Sequence, residues 1–459
     1  MFKLFKIKSL LRLTIFLSPV LSELLCRPEG PVVPRPVSLS SSPDFLSAAR
    51  NLSDNFSPAL NGTIRAGFPT ENVSFSVAVV SLAQDDPRVP LWEHHHLSAA
   101  NIDGTKELDR NSQYLIGSVS KVLSDAVLLK SGLSLDDSIT KYLPELASSD
   151  SPVRWENISL GALASQLSGI PPNYGFSEFY YLKDYFESLG FPPLNDSDYA
   201  PCGVQALNMG CTREQFLQGM LQVRPVASPM TRPVYSNIVF SLFVFAIEAA
   251  TGMNYTEQLK HYVTDPLGMM STTTSPGVDD RAVIPPMQSS WGSHYGDNAP
   301  GGGLVSTISD LSTFFHAILS RNATLLPPTA INSWLKPRSP ASSSHSSVGA
   351  PWEIFTPDAG TLTPDHPHTV HIYAKNGAAY GYNAQVALVD DYGVAVVVLT
   401  AGEPQAYRFV YDATLSSIVR AVDEAARVEA DERGYTGSFE GPCSGVSGTP
   451  EPACLNVTA

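Results

Sequence analysis

Strand-forming segments stand at both ends of this chain, and helix-forming segments fill the length between them. Ser74 to Ser81 (SFSVAVVS) is rich in β-branched residues, and Leu91 to Ser98 is placed to be its hairpin partner. Comparable runs return far along the chain, at Val370 to Ala374, Ala384 to Val389 and Val394 to Thr400. Strands must lie side by side to satisfy their backbone groups, so the two ends have to meet in one sheet. Their hairpin-like spacing predicts antiparallel pairing. The expected fold is therefore α+β: an antiparallel sheet from N- and C-terminal segments, flanked by helices, with a mostly helical insertion over about 139–319.

Helical signals fill in the rest. Asp44 to Leu60 can form a first helix. Ser118 opens a helical stretch that ends near Gly132, after the short apolar run Tyr114-Leu115-Ile116-Gly117. The insertion reads as helices joined by Pro-rich loops. In it, Phe240 to Gly252 is a strongly apolar helix with Gly252 as its stop. Ser339 to Ser347 reads as a Ser-rich surface loop. Tyr411, Leu415, Ile418, Val422 and Ala425 recur at helical spacing. Of the 459 residues 43% are hydrophobic and 16% charged, enough for a large core. With 29 Lys+Arg against 44 Asp+Glu the net charge is −15, which repels phosphate backbones and excludes a general nucleic-acid-binding role. The 37 Pro and 32 Gly follow no repeat, so collagen-like and solenoid folds are excluded.

The N-terminus points to export. Lys3, Lys6, Lys8 and Arg12 precede an apolar run, Leu13 to Leu21, that is too short to span a bilayer and has the layout of a secretory signal peptide. Residues 1–26 are assigned to it, with cleavage at Val20-Leu21-Ser22 or near Cys26. No other segment is apolar and long enough to be a stable membrane span. A Pro/Ser-rich leader and first helix (27–60), the main domain (61–430) and a polar tail (431–459) follow. Asn-x-Ser/Thr triplets begin at Asn51, Asn55, Asn61, Asn72, Asn157, Asn195, Asn254, Asn322 and Asn456; with the signal-like start they indicate a secreted, extracellular glycoprotein. In an oxidising compartment the simplest pairing of nearby cysteines is Cys202 with Cys211 and Cys443 with Cys454, the second pinning the tail. No CxxC spacing supports a cysteine zinc site or a thioredoxin-like pair.

Three Ser-x-x-Lys triplets are present: Ser118–Lys121, Ser138–Lys141 and Ser333–Lys336. A helix brings residues i and i+3 to one face, so a lysine held neutral by burial can take the serine proton. Ser138 follows Asp136-Asp137 and reads as a turn or cap. Ser333–Lys336 ends against Pro337, which stops its helix. Ser118 alone sits between an apolar run and a helix start, where its N–H is suited to an oxyanion; a plain N-cap serine is the alternative. Tyr235-Ser236-Asn237 precedes the apolar helix, offering a phenol as proton relay and an amide to hold substrate and Lys121. Lys375-Asn376-Gly377 closes a β segment; Gly377 admits substrate to the strand backbone, and the N–H of Ala378 is a second oxyanion donor. Lys130-Ser131-Gly132 repeats the Lys-x-Gly pattern, but a helix C-terminus explains it.

In this order the three motifs resemble the serine β-lactamase and penicillin-binding-protein superfamily, in its class C and esterase-like branch. YLIGSVSK, ISLGALASQLSGIP, PVYSNIVFSLF, GGGLVSTISDLSTF and KNGAAYGYNA resemble stretches of that family, over roughly Phe75 to Arg420. With the signal peptide and sequons, the chain looks like fungal secreted β-lactamase-like proteins. The resemblance implies a β-lactamase/transpeptidase-like fold and a secreted serine hydrolase working through an acyl-enzyme. Ser118 would be the nucleophile, Lys121 its activator and Tyr235 the base or relay. Asn237 would order the site, and Lys375 would bind a substrate carboxylate or tune Tyr235. The N–H groups of Ser118 and Ala378 would form the oxyanion hole. Lys-Asn-Gly departs from the family's Lys-Thr-Gly or His-Thr-Gly, and RGYTGSFEG resembles the start of a C-terminal domain that the tail would truncate.

The expected substrate is a small ester, lactam or amide, with no cofactor. A penicillin-binding-like protein with little turnover, and an acyltransferase on the same scaffold, are the competing readings. A zinc enzyme built on His94-His95-His96 or on His366, His368 and His371 is disfavoured, since no HxHxDH run is present and these histidines are expected on exposed hairpins or loops. There is no GxSxG elbow, and Gly301-Gly302-Gly303 lacks the following lysine of a phosphate loop.

Overall fold

The computed structural model describes residues 32–175, 183–195, 198, 200–203, 210–440 and 454–457. Its frame is an eight-stranded sheet in the order β2-β1-β11-β10-β9-β8-β7-β6, antiparallel at every junction. β1 (Val73–Ser81) lies between β2 (Trp92–His96) and β11 (Val394–Gly402), with Val77 opposite Val398. The expected meeting of the two chain ends is thus a junction inside the sheet, one strand in from its β2 edge. β10 (Tyr382–Val389) and β9 (Ile372–Ala379) continue it to β8 (Glu353–Phe355), β7 (Ser346–Val348) and β6 (Ser339–Pro340).

Both faces of this sheet are covered, which explains why its central strands are apolar without interruption. Phe75, Val77 and Val79 of β1, with Val394, Val396 and Val398 of β11, face one core. Ala78 and Val80, with Ala395, Val397 and Leu399, face the other. The first face packs on two helices. Pro43–Leu60 starts from Ser42, whose side chain accepts the Phe45 N–H, and buries Phe45, Ala49, Leu52 and Phe56 at helical spacing. Ala406–Glu432 buries Leu415, Ile418, Val422 and Ala425 in the same manner. The opposite core holds the helix Ser120–Lys130 and the insertion, including its helices Ile238–Thr251 and Ile308–Leu319. Gly252 ends the apolar helix at φ +77, its N–H donating to Glu248 O, as its sequence position implied.

Several expectations change. The insertion is less helical than expected: its helices are short, and it contributes β4 (Thr273–Thr274) and β5 (Leu304–Ser306), which join β3 (Tyr114–Leu115) in a second sheet ordered β3-β5-β4. Pairs of two or three residues leave no periodicity to read. Ser339 to Ser347 is not a loop throughout but supplies β6 and the start of β7 at the sheet edge. His94, His95 and His96 are half-buried in β2, where the His94 ring lies 4.7 Å from that of Phe56, so they pack the sheet edge rather than an exposed hairpin. His368 is also half-buried, its Nε2 2.8 Å from the Tyr392 hydroxyl.

Cys202 and Cys211 sit with their sulfurs at bonding distance and Cα atoms 5.0 Å apart. Cys26, Cys443 and the proposed signal peptide lie outside the described residues. Part of the tail forms a hairpin, β12 (Gly437–Glu440) with β13 (Cys454–Val457). Among the described residues no single helix is long and apolar enough to cross a membrane.

Candidate active site

Ser118 is held from three sides. β3 is paired to β5 with Leu115 opposite Val305, and the Ile116 N–H donates to Leu304 O at 3.0 Å. The chain then makes a 3₁₀ turn, Gly117–Val119, before the α-helix begins at Ser120, so Ser118 precedes the helix rather than opening it. Ser120 contributes too, its hydroxyl accepting the Leu304 N–H at 3.1 Å. β9 closes the third side. A Cβ on Gly377 would collide with the Ile116 carbonyl and come within 2.9 Å of the Ser118 amide nitrogen, and one on Gly117 (φ +50) would collide with the Ala378 amide. Glycine at both positions lets the strand and the turn touch through their backbones. The N–H groups of Ser118 and Ala378 are therefore brought to one place, as an oxyanion hole requires.

Lys121 is fully buried beneath Ser118. Its Nζ donates to Ser118 Oγ at 2.9 Å, to Asn237 Oδ1 at 2.8 Å and to the Gly301 carbonyl. An ammonium has three donors, and all three are used. Once deprotonated, the amine can still donate to Asn237 and Gly301, leaving its lone pair toward Ser118. Burial favours that state and lowers the Lys121 pKa to about 8, with Lys375 adding to the effect and Tyr235 and Glu353 opposing it. Asp125, one helical turn on, is buried with neither carboxylate oxygen hydrogen-bonded to a described residue. Burial raises its pKa well above the ordinary aspartate value, with Lys121 and Arg338 opposing that shift.

Tyr235 donates its hydroxyl to Ser118 Oγ at 2.7 Å while its ring stays 41% exposed at the mouth of the site. The ammonium groups of Lys121 and Lys375 lie 5.0 Å and 5.2 Å from the ring centroid. Burial raises the phenol pKa, but the two cations and the hydrogen bonds with Ser118 and Lys121 outweigh it, and the net shift is downward. The Tyr235–Asn237 turn is tied down by Gln166, a non-glycine residue at φ +62. Its side chain accepts the Ser236 N–H at 2.6 Å and donates to Ser236 O at 3.2 Å. Asn237 donates through Nδ2 to Asn173 Oδ1 at 2.8 Å.

All seven expected residues, Ser118, Lys121, Tyr235, Asn237, Lys375, Gly377 and Ala378, thus converge. The rival triplets do not. Ser138 caps a turn by accepting the Thr140 N–H, and Lys141 pairs with Asp137. Ser333 and Lys336 are exposed. Lys130 donates to Thr324 O at the surface. Tyr382 is buried, with its hydroxyl on Val283 O, so it packs the core, whereas Tyr380 is exposed. Gly301, Gln166, Asn173 and Glu353 were not picked out as functional residues. Gly301 acts through a carbonyl, and the rest through contacts between segments distant in sequence, which no local pattern announces. Among the described residues no group of His, Cys, Asp and Glu is placed to hold a metal ion.

The fold is that of the β-lactamase/transpeptidase-like α+β domains. Residues 77–419 match the β-lactamase family, and the chain belongs to that family of hydrolases. A β-lactamase-like protein of Arthroderma benhamiae is 48% identical over 419 residues, 90% of this chain and 70% of that protein. A probable hydrolase of a Phoma species is 26% identical over 382 residues, 81% of this chain and 62% of that one. In fold, the chain resembles a β-lactamase/D-alanine carboxypeptidase from Yersinia pestis, at TM-score 0.58 and 19% identity over 82% of this chain and 99% of that one. It also resembles a class C β-lactamase, at TM-score 0.58 and 17% identity over 83% and 97% of the two chains.

Proposed function

We propose that this chain is a secreted serine hydrolase that cleaves a small ester, lactam or amide through an acyl-enzyme on Ser118. The observation that carries the reading is the Ser118 hydroxyl held between the buried Lys121 amine and the Tyr235 phenol, at 2.9 Å and 2.7 Å. Ser118 Oγ attacks the substrate carbonyl carbon as its proton passes to neutral Lys121. The N–H groups of Ser118 and Ala378 receive the developing oxyanion. Tyr235 gives its phenol proton to the departing alcohol or amine and recovers one directly from the Lys121 ammonium, with which its hydroxyl interacts. In the second half the same groups take a proton from water, which attacks the acyl carbon and frees Ser118. The probable-hydrolase name of the Phoma relative fits this reading. Export is supported by eight of the sequon asparagines, Asn51, Asn55, Asn61, Asn72, Asn157, Asn195, Asn254 and Asn322, all of which are exposed.

The test is labelling with a fluorophosphonate, with Ser118→Ala as control. Labelling of the native protein alone is expected; equal labelling of both would remove Ser118 as nucleophile. Steady multiple turnover of an activated ester separates a hydrolase from a penicillin-binding-like protein that acylates and stalls. A mass loss after N-glycosidase treatment of the secreted protein tests export.

A further inference from the structure

The third-motif lysine is already spoken for. Lys375 is 1% exposed, and its Nζ donates to Glu353 Oε1 at 2.5 Å, to Asn376 O at 3.0 Å and to Asn376 Oδ1 at 3.2 Å. An ammonium has three donors, so none is left for a ligand. Two features of this chain cause that. Asn376 carries a side-chain oxygen that folds back onto the lysine. Glu353 comes from β8, the neighbour of β9, opposite Ala374, and its other oxygen accepts the Asn376 N–H at 3.3 Å. The Glu353 side chain remains 28% exposed, and its field reaches Lys121.

We propose that Glu353 is a specificity-determining residue that, with Asn376, turns Lys375 from an anchor for anions into an internally neutralised support, so that the substrate is an ester or amide with an uncharged acyl portion. The proposal rests on the Ser118 acyl-enzyme reading. A substrate carboxylate entering this site must either displace Glu353 from Lys375 or sit unpaired beside it. Beside this neutralised pair a substrate carboxylate finds no net attraction to offset its own desolvation, which should weaken its binding by about tenfold or more relative to an uncharged group. The net charge of −15 also slows the approach of anions. An uncharged acyl group meets neither obstacle.

The experiment compares two p-nitrophenyl esters of similar length, butyrate and the mono-ester of succinate, by the rate of Ser118 acylation. Release of p-nitrophenol and intact mass give that rate, and each value is divided by the ester's rate with hydroxide. The native protein is expected to prefer butyrate by more than about tenfold, and added salt to narrow the gap. Glu353→Gln is expected to move the ratio toward succinate by about tenfold or more, and Asn376→Thr to move it the same way by less. A native preference for succinate, or no preference, overturns the proposal, as does a ratio unchanged in Glu353→Gln. Should that variant fail to fold, the native ratio and Asn376→Thr decide. Absence of Ser118-dependent labelling would instead refute the acyl-enzyme reading itself, so the two failures are distinguishable.

Discussion

The sharpest consequence of the site is an alkaline limb whose position depends on a second lysine. Only neutral Lys121 can accept the Ser118 proton. With a pKa lowered to about 8, about one molecule in ten carries the free amine at pH 7 and nearly all do at pH 10. The rate of fluorophosphonate labelling should therefore rise through pH 8 and level off. Lys375→Met keeps the buried stem but removes a charge that lowers the Lys121 pKa. Both ammonium groups lie near one ring, at 5.0 Å and 5.2 Å from the Tyr235 centroid, so they are no more than about 10 Å apart. At an effective dielectric of about 20 that separation is worth at least about 1.6 kcal/mol, or roughly one pKa unit. Glu353 raises the Lys121 pKa, and losing its cation partner strengthens that effect, so the two changes add. The limb should move from about 8 to about 9 or higher, with the labelling rate falling about tenfold at pH 7 and far less at pH 10. The assay is second-order labelling of both proteins from pH 6 to 10. A flat native profile would refute the role of Lys121; a limb that stays or falls in Lys375→Met would refute the electrostatic account.

Tyr235→Phe keeps the exposed ring and removes the hydroxyl on Ser118, so labelling should fall on the order of 10²–10⁴-fold with the melting temperature little changed; an undiminished rate would remove Tyr235 from the proton path. Because Tyr235 also raises the Lys121 pKa, the residual activity should show its limb at lower pH than the native protein. Gly377→Ala inserts a methyl between β9 and the nucleophile turn. It should lower stability by about 1–3 kcal/mol and acylation on the order of 10²–10³-fold as the two oxyanion donors separate; a fully active variant would show that Ala378 is not a donor. Alkylation of the unfolded, secreted protein should leave Cys202 and Cys211 unmodified until a reductant is added, as peptide mass mapping can show.

What the sequence revealed depended on how local each signal was. The apolar strands β1, β10 and β11, the helix ended by Gly252 and the Ser118–Lys121 pair each lie within one short segment, and their types were legible there. Choosing among the Ser-x-x-Lys triplets worked for the same reason, because Pro337 and Asp136-Asp137 disqualify the rivals from next door. Glu353 gave no such signal: it matters only because β8 and β9 pair with Glu353 opposite Ala374, one position from Lys375. Gly301 is similar, since its backbone oxygen rather than any side chain meets Lys121. The half-buried histidines of β2 were misplaced because an edge strand backed by a helix carries the same letters as an exposed hairpin.

The placement of β1 between β2 and β11 has a consequence for biogenesis. Its hydrogen-bonding edge toward Val398 has no mate until the ribosome has gone on from Ser81 to Val394, 394 − 81 = 313 residues later. At roughly 5–20 residues per second that delay is on the order of tens of seconds, during which a sticky hydrophobic ribbon stands open to aggregation. A polypeptide cut short before Val394 would lack the central strand that joins its beginning to its end. Emergence of β11 from the ribosome, more than any early helix, should therefore mark the moment at which this sheet can close.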